Sequence, residues 1–293
     1  MVQITVVGSI SMDLVVTADR RPQAGETILG HSFKTVPGGK GANQAVAAAR
    51  LGAKVNMIGC VGDDAYGTAL IENLRQNHVS VQYVEPVTHC GSGTAHITLA
   101  EGDNSIIFVK GANDFVTPDY VEKAKEAFEG SSIVLIQQEI PYETVEYVAE
   151  LCEKNQIPLM LNPAPARRIS PALLEKTAYL TPNEHECNVL FNGIGRSEAL
   201  KRYPNQLIIT EGKNGARFYD GREEIVVPSF PVKTVDTTGA GDTFNAAFAV
   251  AVSEGKEIKE ALLFANRAAS LSVTKFGAQC GMPTREEVDG RKE

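Results

Sequence analysis

The stretch SIVLIQQEIPYETVEYVAELCEKNQIPLMLN, residues 132–162, holds in one piece the pattern that decides the fold. It begins with a short continuous apolar run, continues with apolar residues at helical spacing, and ends in a second apolar run. A continuous apolar run is typical of a strand buried on both faces of a parallel sheet, and helical spacing predicts an amphipathic helix. Residues 132–162 therefore predict a strand, a helix and another strand in succession.

The same alternation extends over most of the chain. Further apolar runs lie at residues 4–8, 54–62, 178–183 and 206–212, and helical patterns separate several of them. Strands that alternate with helices predict a doubly wound α/β fold, in which helices cover both faces of a mostly parallel central sheet.

Two stretches, residues 13–36 and 90–110, break this alternation. Apolar and polar residues alternate in both, and Gly, Asp and Asn punctuate them as in hairpins. We expect them to form a small second sheet, a lid inserted into one α/β domain that spans residues 1–293. The alternative is two separate surface hairpins.

Composition and charge limit the classes of partner and the cellular location. The chain has 293 residues, 43% hydrophobic and 22% charged, which is ordinary for a globular protein with a large core. Its net charge of −8 disfavours nucleic-acid or anionic-membrane partners, which require basic surfaces. The five cysteines are scattered, no apolar run is long enough to cross a membrane, and a signal-peptide pattern is absent. We therefore expect a cytoplasmic protein with no nucleic-acid or membrane partner.

A glycine-rich turn, VDTTGAGDTFNAAFAVAV at residues 235–252, precedes an apolar helix. Its glycines permit a tight turn, so that the first N–H groups of the helix are free to bind a phosphoryl group. Asp242 beside them could accept a proton from a hydroxyl, and its alternative role is that of a helix N-cap. Asp236 is placed either to hold a cation or to fix the loop. The P-loop and dinucleotide-binding glycine patterns are both absent, which disfavours a nicotinamide oxidoreductase.

A second glycine-rich turn, VPGGKGANQAVAAARLG at residues 36–52, precedes a helix of small residues. Three of its glycines, Gly38, Gly39 and Gly41, fall within four residues. They would let a polyol approach the backbone closely, while Lys40 and Asn43 hydrogen-bond its hydroxyls. The alternative is a scaffolding turn with no ligand.

Two polar residues in the segment NEHE suit a divalent cation. Asn183 and Glu186 are three residues apart, so they can share one face of a helix. An amide and a carboxylate oxygen suit Mg²⁺ bound through its waters. The alternative is a pair of solvated polar residues at a helix start.

The segments PGGKGANQAVAAARLG and DTTGAGDTFNAAF resemble the two signatures of the ribokinase (PfkB) family of carbohydrate kinases. The resemblance extends over essentially the whole chain, through GSISMDL, NPAPAR, TPNE and GAQ. It implies that family's three-layer α/β/α sandwich with a small β-sheet lid, and homodimers formed through paired lids. Lys40 and Asp13 resemble the ribose-phosphorylating branch, so that the implied reaction is transfer of phosphate from ATP to the 5-hydroxyl of D-ribose.

Matched motif by motif, the resemblance implies four groups of site residues. The sugar would be bound by Asp13, Gly39, Lys40, Asn43, Glu139 and Asp242, with Asp242 as general base. The anion hole would be formed by the N–H groups of Gly239, Ala240, Gly241 and Asp242. ATP with its Mg²⁺ would be bound by Asn183, Glu186, Thr210, Gly212, Gly215, Gly241 and Asn266. An activating K⁺ would be bound by Asp236, Thr238, Ser272, Lys275, Gly277 and Gly281, largely through backbone carbonyls.

One departure from the family pattern lies beside the implied cation loop. After GAQ this chain continues with Cys280 and Gly281, where family members usually carry small residues without a thiol. Two alternative functions remain open: a related kinase that acts on deoxyribose, fructose or a nucleoside, and a sugar sensor that binds without catalysis.

Overall fold

Strands and helices follow one another along residues 2–290, the part of the chain that this computed structural model describes. The strands are β1 (Gln3–Val7), β2 (Ser11–Thr17), β3 (Ser32–Gly38), β4 (Lys54–Gly62), β5 (Val79–Val87), β6 (Gly93–Ala100), β7 (Asp103–Val109), β8 (Ile133–Ile136), β9 (Leu159–Leu161), β10 (Tyr179–Leu180), β11 (Ile208–Thr210), β12 (Ala216–Tyr219) and β13 (Glu224–Val227). The α-helices are α1 (Lys40–Arg50), α2 (Ala65–Gln76), α3 (Pro118–Lys123), α4 (Tyr142–Lys154), α5 (Pro171–Lys176), α6 (Glu184–Leu190), α7 (Arg196–Arg202), α8 (Ala240–Ser253), α9 (Ile258–Ser272), α10 (Ala278–Gly281) and α11 (Arg285–Gly290).

A six-stranded parallel sheet forms the centre of the molecule, in the order β10-β9-β8-β1-β4-β5. Neighbouring residues of one strand enter different apolar layers: Val6 packs among residues of α1, α2, α8 and α9, and Val7 among residues of α3, α4, α5 and α7. Burial on both faces explains why these strands are continuously apolar in sequence. The predicted α/β class with a mostly parallel central sheet is confirmed.

A three-stranded antiparallel sheet, β11-β12-β13, continues the edge of the central sheet. Parallel bridges between Leu180 and Leu207 and between Asn183 and Thr210 join it to the chain at and after β10. The apolar run at residues 206–212 is therefore parallel to one neighbour and antiparallel to the other. This arrangement brings the loop after β10 beside the turn between β11 and β12.

A separate four-stranded sheet, called the small sheet below, has the order β3-β2-β6-β7. Strand β2 runs antiparallel to β3 and parallel to β6, and β6 runs antiparallel to β7. Its strands include most of residues 90–110 and the two ends of residues 13–36, and β2 and β3 extend beyond the first stretch, to Ser11 and Gly38. The connection between β2 and β3 is long and irregular rather than a tight turn. Its action as a lid stays a prediction.

Within residues 2–290, no helix combines the length and the apolar character needed to cross a bilayer.

The order of strands and helices determines where the candidate site lies. It brings the N-termini of α1 and α8 together beyond the carboxyl ends of β1 and β8, the edge at which open α/β sheets bind ligands. A direct hydrogen bond between the side chains of Asn43 on α1 and Asp242 on α8 shows how closely the two helices approach.

Candidate active site

The N-terminus of α8 begins at a turn that only glycine accommodates. Gly239 is the N-cap, with φ of 77°, and a Cβ at this position would lie 2.8 Å from the Cβ of Ala278. The N–H of Ala240 donates to the carbonyl of Thr237 at 3.2 Å, which closes the turn. The following N–H groups belong to the first helical turn, where the helix itself supplies no acceptors, and Gly241 lies on an open groove.

The carboxylate of Asp242 does not cap its own helix but points to α1. Its side chain is 6% exposed. Asn43 Nδ2 donates to Asp242 Oδ2 at 2.9 Å, and Gln44 Nε2 donates to Asp242 Oδ1 at 3.1 Å. Because Gly239 is the N-cap and no side chain caps α8, the alternative of an ordinary capping Asp is wrong. Burial raises the pKa of Asp242, although Lys40 and the two amides oppose this shift.

Lys40 lies among four carboxylates at the start of α1. Burial by itself would lower the pKa of Lys40, but the charges of Asp242, Glu139, Glu186 and Asp13 outweigh it and raise the pKa. The ammonium group is therefore charged at neutral pH. It is the cation that offsets this buried acidic cluster.

Glu139 follows β8 and binds the first turn of α1. Its Oε2 accepts hydrogen bonds from Ser9 Oγ at 2.5 Å and from the backbone N–H of Lys40 at 3.1 Å. Gly39 is the N-cap of α1, directly before Lys40. A carboxylate at a helix N-terminus is stabilised by the unpaired N–H groups and the helix dipole.

Asp13 on β2 is a buried carboxyl with a strongly shifted pKa. A Cβ at Gly38 would lie 2.5 Å from Asp13 Oδ1, so the carboxyl packs directly against the glycine backbone. Burial, followed by the charges of Glu139 and Asp242, raises the pKa of Asp13 to about 7. A pKa shift of this size, in a carboxyl group that interacts with the charge of Lys40, makes Asp13 a candidate ligand-binding residue.

A small cavity separates the inner face of the small sheet from the turn before α8. It measures about 50 Å³, room for a few water molecules, and Asp13, Val15 and Ile97 line it from the small sheet. Asp236 and Thr238 line it from the opposite side. The small sheet therefore covers the turn before α8.

A groove of about 890 Å³ lies on the other side of the α8 N-terminus, large enough for a nucleotide. It brings together six of the residues predicted to bind ATP and its Mg²⁺, and Ala240 of the predicted anion hole, but Glu186 does not line it; the six are Asn183, Thr210, Gly212, Gly215, Gly241 and Asn266. Apolar side chains, among them Phe230 and Phe244, complete its walls. The amide of Asn266 donates to the carbonyls of Val227 at 2.8 Å and Pro228 at 3.1 Å, so it shapes the wall from beneath.

Asn183 and Glu186 form a reciprocal pair at the start of α6. The N–H of Glu186 donates to Asn183 Oδ1 at 2.8 Å, and the N–H of Asn183 donates to Glu186 Oε2 at 2.8 Å. This capping box is the helix-start arrangement that the sequence left open; within it Glu186 is buried, at 9% exposed, whereas Asn183 is exposed to solvent. Burial raises the pKa of Glu186.

The donor set suits Mg²⁺ only in combination with phosphate oxygens. Among residues 2–290, no group of three or more His, Cys, Asp or Glu side chains is placed to hold a metal. Asn183 lies on the wall of the groove. The charge of Glu186 interacts with the charges of Lys40 and Asp242. Oxygen atoms at this position can bind the water ligands of an ion carried by ATP.

The predicted cation loop is assembled around Asp236. Oδ1 accepts hydrogen bonds from the N–H of Thr238 at 2.9 Å and its hydroxyl at 2.7 Å, and Oδ2 accepts from the N–H of Gly277 at 2.8 Å. Two roles were predicted for Asp236, and these hydrogen bonds support the one in which it fixes the loop. A Cβ at Gly281 would lie 2.0 Å from the carbonyl oxygen of Ser272, so these two residues are also adjacent.

Lys275 takes no part in this assembly through its side chain. The side chain is exposed, and its Nζ lies 3.8 Å from Glu287 Oε1. Because an ammonium group cannot bind a cation, only the backbone carbonyl of Lys275 could serve the predicted role.

Comparison with known proteins agrees with this geometry. Residues 1–285 match the family model described as pfkB family carbohydrate kinase. The chain is 65% identical over 286 residues to the ribokinase of Bacillus subtilis (strain 168), with 98% of both chains covered. It is 47% identical over 292 residues to the ribokinase of Lactococcus lactis subsp. lactis (strain IL1403), covering 99% of this chain and 97% of that one. The chain belongs to the PfkB family of carbohydrate kinases.

A solved structure of the same family has the same architecture. The ribokinase of Arabidopsis thaliana complexed with ribose and ATP matches with a TM-score of 0.91 at 36% identity, covering 99% of this chain and 98% of that one. The resemblance to the PfkB family stated from the sequence motifs is therefore confirmed. The roles of the individual site residues stay predictions.

Sequence reasoning assigned no role to two glutamines that lie in the PfkB-type motifs themselves. Gln44, in the first signature, donates to Asp242 at 3.1 Å. Gln279, in the segment GAQ, donates from Nε2 to Asn43 Oδ1 at 3.0 Å. Their positions inside otherwise apolar or small-residue segments were the available signal, since a buried amide requires hydrogen-bond partners.

Asp13→Asn tests the raised pKa through stability. The pKa of Asp13 is about 7 in the folded protein against an ordinary value of 3.8, so the parent loses stability as the pH rises through this window. We expect the unfolding free energy of Asp13→Asn, relative to the parent, to rise by up to about 4 kcal/mol between pH 4 and 8. Urea unfolding at several pH values measures it.

The control for this measurement is Asp63→Asn, on an exposed side chain. It should show no comparable trend with pH. A constant difference between Asp13→Asn and the parent at every pH would contradict the assignment.

Proposed function

We propose that this PfkB-family chain transfers the terminal phosphate of ATP to the 5-hydroxyl of D-ribose, giving D-ribose 5-phosphate and ADP. The observation that carries the proposal is the position of the buried Asp242 carboxylate. It lies at the N-terminus of α8, which borders the large groove, and it interacts electrostatically with Lys40, Glu139 and Asp13. The names of the relatives, ribokinases of Bacillus and Lactococcus, support the choice of ribose.

The sugar would occupy the acidic cluster beneath the small sheet. Asp13, Glu139 and Asn43 present carboxylate and amide groups that can hydrogen-bond ring hydroxyls, and Lys40 can donate to them. Such contacts hold the 5-hydroxyl beside Asp242 and in line with the terminal phosphorus, so positioning supplies much of the rate. The small sheet excludes water, which would otherwise accept the phosphoryl group.

Transfer forms a bond between the 5-oxygen of the sugar and the terminal phosphorus, and breaks the bond from that phosphorus to the leaving oxygen of ADP. The proton of the hydroxyl passes to Asp242. The backbone N–H groups of Gly239, Ala240, Gly241 and Asp242 form the proposed anion hole for the moving phosphoryl group. The Ala240 N–H would exchange its turn-closing bond to Thr237 for a phosphate oxygen.

ATP would lie in the groove, with its base between the apolar walls and its phosphates toward α8. Thr210, Gly212 and Gly215 form the turn between β11 and β12 beside it, and Asn266 supports the far wall. Mg²⁺ bound to the phosphates would neutralise their charge, and Asn183 and Glu186 would hold its water ligands.

A panel of acceptors tests the substrate. ADP release in the presence of ribose, 2-deoxyribose, fructose or a nucleoside is compared at equal concentration. We expect the largest kcat/KM with ribose, because the hydroxyl-binding groups of the acidic cluster are then all used. A higher kcat/KM with another acceptor would support the related-kinase alternative, and ribose binding without ADP release would support the sensor alternative.

Asp242→Asn tests the proposed base. The amide keeps the size of the side chain but cannot accept the proton, so we expect kcat to fall by about 10²–10⁴-fold. The ribose KM should change little, because Asp13, Lys40 and Glu139 still bind the sugar. Asp63→Asn is the control and should turn over like the parent. Near-parental turnover of Asp242→Asn would rule out this base.

We also propose that K⁺ binds the loop around Asp236 and activates the enzyme from there. The observations in support are the ties of Asp236 to Thr238 and Gly277 and the adjacency of Ser272 and Gly281. Because this loop leads directly into the turn before α8, a cation in it would shape the proposed anion hole.

Exchange of the salt tests this cation. We expect lower kcat when NaCl replaces KCl at equal ionic strength, with ADP measured directly by chromatography. Equal rates in the two salts would remove the cation from the mechanism.

A homodimer formed through the small sheet is a further part of this proposal. Its outer face exposes Val16 (37%), Phe33 (61%), Ile107 (71%) and Val109 (48%), an apolar surface unusual for a monomer. The register of the small sheet places these side chains on the face opposite Asp13.

Ile107→Lys tests the dimer, because a charge at the centre of an apolar interface disfavours association. We expect the parent to have the mass of a dimer by size-exclusion chromatography with light scattering, and Ile107→Lys to be largely monomeric. Val226→Lys, at an apolar residue 45% exposed on β13, is the control and should stay dimeric. A monomeric parent at all concentrations would contradict the proposal.

The cytoplasmic location predicted from the sequence is also retained as a proposal. All five cysteines are free, which is in keeping with a reducing compartment.

A further inference from the structure

Two chains of buried amides end on the two carboxylate oxygens of Asp242. In the first, Gln137 Nε2 donates to Gln44 Oε1 at 2.7 Å, and Gln44 Nε2 donates to Asp242 Oδ1 at 3.1 Å. Gln44 Nε2 also lies 3.2 Å from Asn162 Oδ1. Gln137 and Gln44 are both completely buried. The chain thus connects the end of β8 to the proposed base through α1.

The second chain reaches the other carboxylate oxygen from α10. Asn73 Nδ2 donates to Gln279 Oε1 at 2.7 Å, and Gln279 Nε2 donates to Asn43 Oδ1 at 3.0 Å. Asn43 Nδ2 then donates to Asp242 Oδ2 at 2.9 Å. Gln279 is 3% exposed, and its side-chain hydrogen bonds go to Asn73 and Asn43 rather than to Asp242.

These chains determine which end of each inner amide faces the carboxylate. An amide has an acceptor end and a donor end. Because Gln279 donates to Asn43 Oδ1, the donor end of Asn43 must face Asp242. Gln44 Nε2 faces two acceptors, Asp242 Oδ1 and Asn162 Oδ1. The other end of this amide, Oε1, therefore faces the Nε2 donor of Gln137. A reversed inner amide would place its oxygen against the carboxylate of Asp242.

We propose that Gln279 and Gln137 are positioning residues, which act through Asn43 and Gln44 to orient the Asp242 carboxylate and keep it an acceptor. This inference rests on the proposed function, because it takes Asp242 as the base. One amide bond on each oxygen sets the plane of the carboxylate and leaves its remaining lone pairs for the 5-hydroxyl. Both donors also stabilise the ionised carboxylate against its burial.

Gln279→Met and Gln137→Met test the proposal with little change in side-chain volume. Gln279→Met leaves Asn43 Oδ1 without its donor, and Gln137→Met leaves Gln44 Oε1 without its donor, so that in each variant one inner amide holds the carboxylate less rigidly. We expect kcat to fall by about 10-fold in each, the scale of one hydrogen bond to a charged group, with the KM for ATP unchanged. Circular dichroism and urea unfolding check that both variants fold.

The matched control is Gln206→Met. Gln206 donates to the carbonyls of Leu174 at 2.7 Å and Thr177 at 2.6 Å, away from the site, so its loss costs stability alone. We expect parental kcat in this variant. Parental kcat in folded Gln279→Met and Gln137→Met would overturn the proposal, and so would an equal loss of kcat in Gln206→Met.

A double-mutant cycle separates action through Asn43 from a general structural effect. Gln279→Met is measured in the parent and in Asn43→Ala. If Gln279 acts through Asn43, its substitution changes kcat by less than about 2-fold in the Asn43→Ala background. The full 10-fold loss in both backgrounds would overturn the proposal.

If Gln279→Met does not fold, Asn73→Ala takes its place in this cycle. Asn73 is only partly buried and orients Gln279 from outside. Its effect on kcat must likewise disappear in Asn43→Ala, and an effect that persists there overturns the proposal.

Asp242→Asn distinguishes a failure of the proposed function from a failure of this inference. Near-parental turnover of Asp242→Asn defeats the proposed function, whereas an inactive Asp242→Asn with an unaffected Gln279→Met defeats this inference alone.

Discussion

The burial of one carboxylate, that of Asp242, is the constraint on which the rest of the site depends. A charged group removed from water is stable only if other groups replace the solvent. Here Asn43 and Gln44 supply one hydrogen bond to each oxygen, and Lys40 supplies the nearby positive charge. The remaining carboxylates of the cluster, led by Glu139, oppose the ionised form. The site therefore depends on the balance between Lys40 with its amides and the acidic residues around them.

The fold achieves this balance by bringing two helix N-termini to one edge of the central sheet. Helices α1 and α8 both begin at a glycine turn, at Gly39 and Gly239, and both direct their first residues to the space beyond β1 and β8. The small sheet adds Asp13 from above, and the groove between α8 and the β11–β12 turn lies on the other side. The proposed sugar site and the proposed nucleotide site thus meet at Asp242.

Much of this was readable from local patterns. Continuous apolar runs predicted the parallel strands, because burial on both faces removes the polar alternation. The two glycine turns predicted the helix starts, and the family resemblance named Asp242, Lys40 and Asn43 together. Local patterns did not distinguish a capping Asp242 from one directed at α1. They also left Asn183 and Glu186 open, which prove to form a capping box in which Glu186 is buried and Asn183 is exposed.

The sequence by itself determined the α/β class, the family, and the two turns at which chemistry is expected, since these depend on spacing within short segments. Only the tertiary structure decided which amides hold the carboxylate. Gln137 and Gln44 are 93 residues apart, Asn43 and Asp242 are 199 apart, and Gln279 and Asn43 are 236 apart. Hydrogen bonds over such separations depend on how sheets and helices pack, and no local periodicity records them.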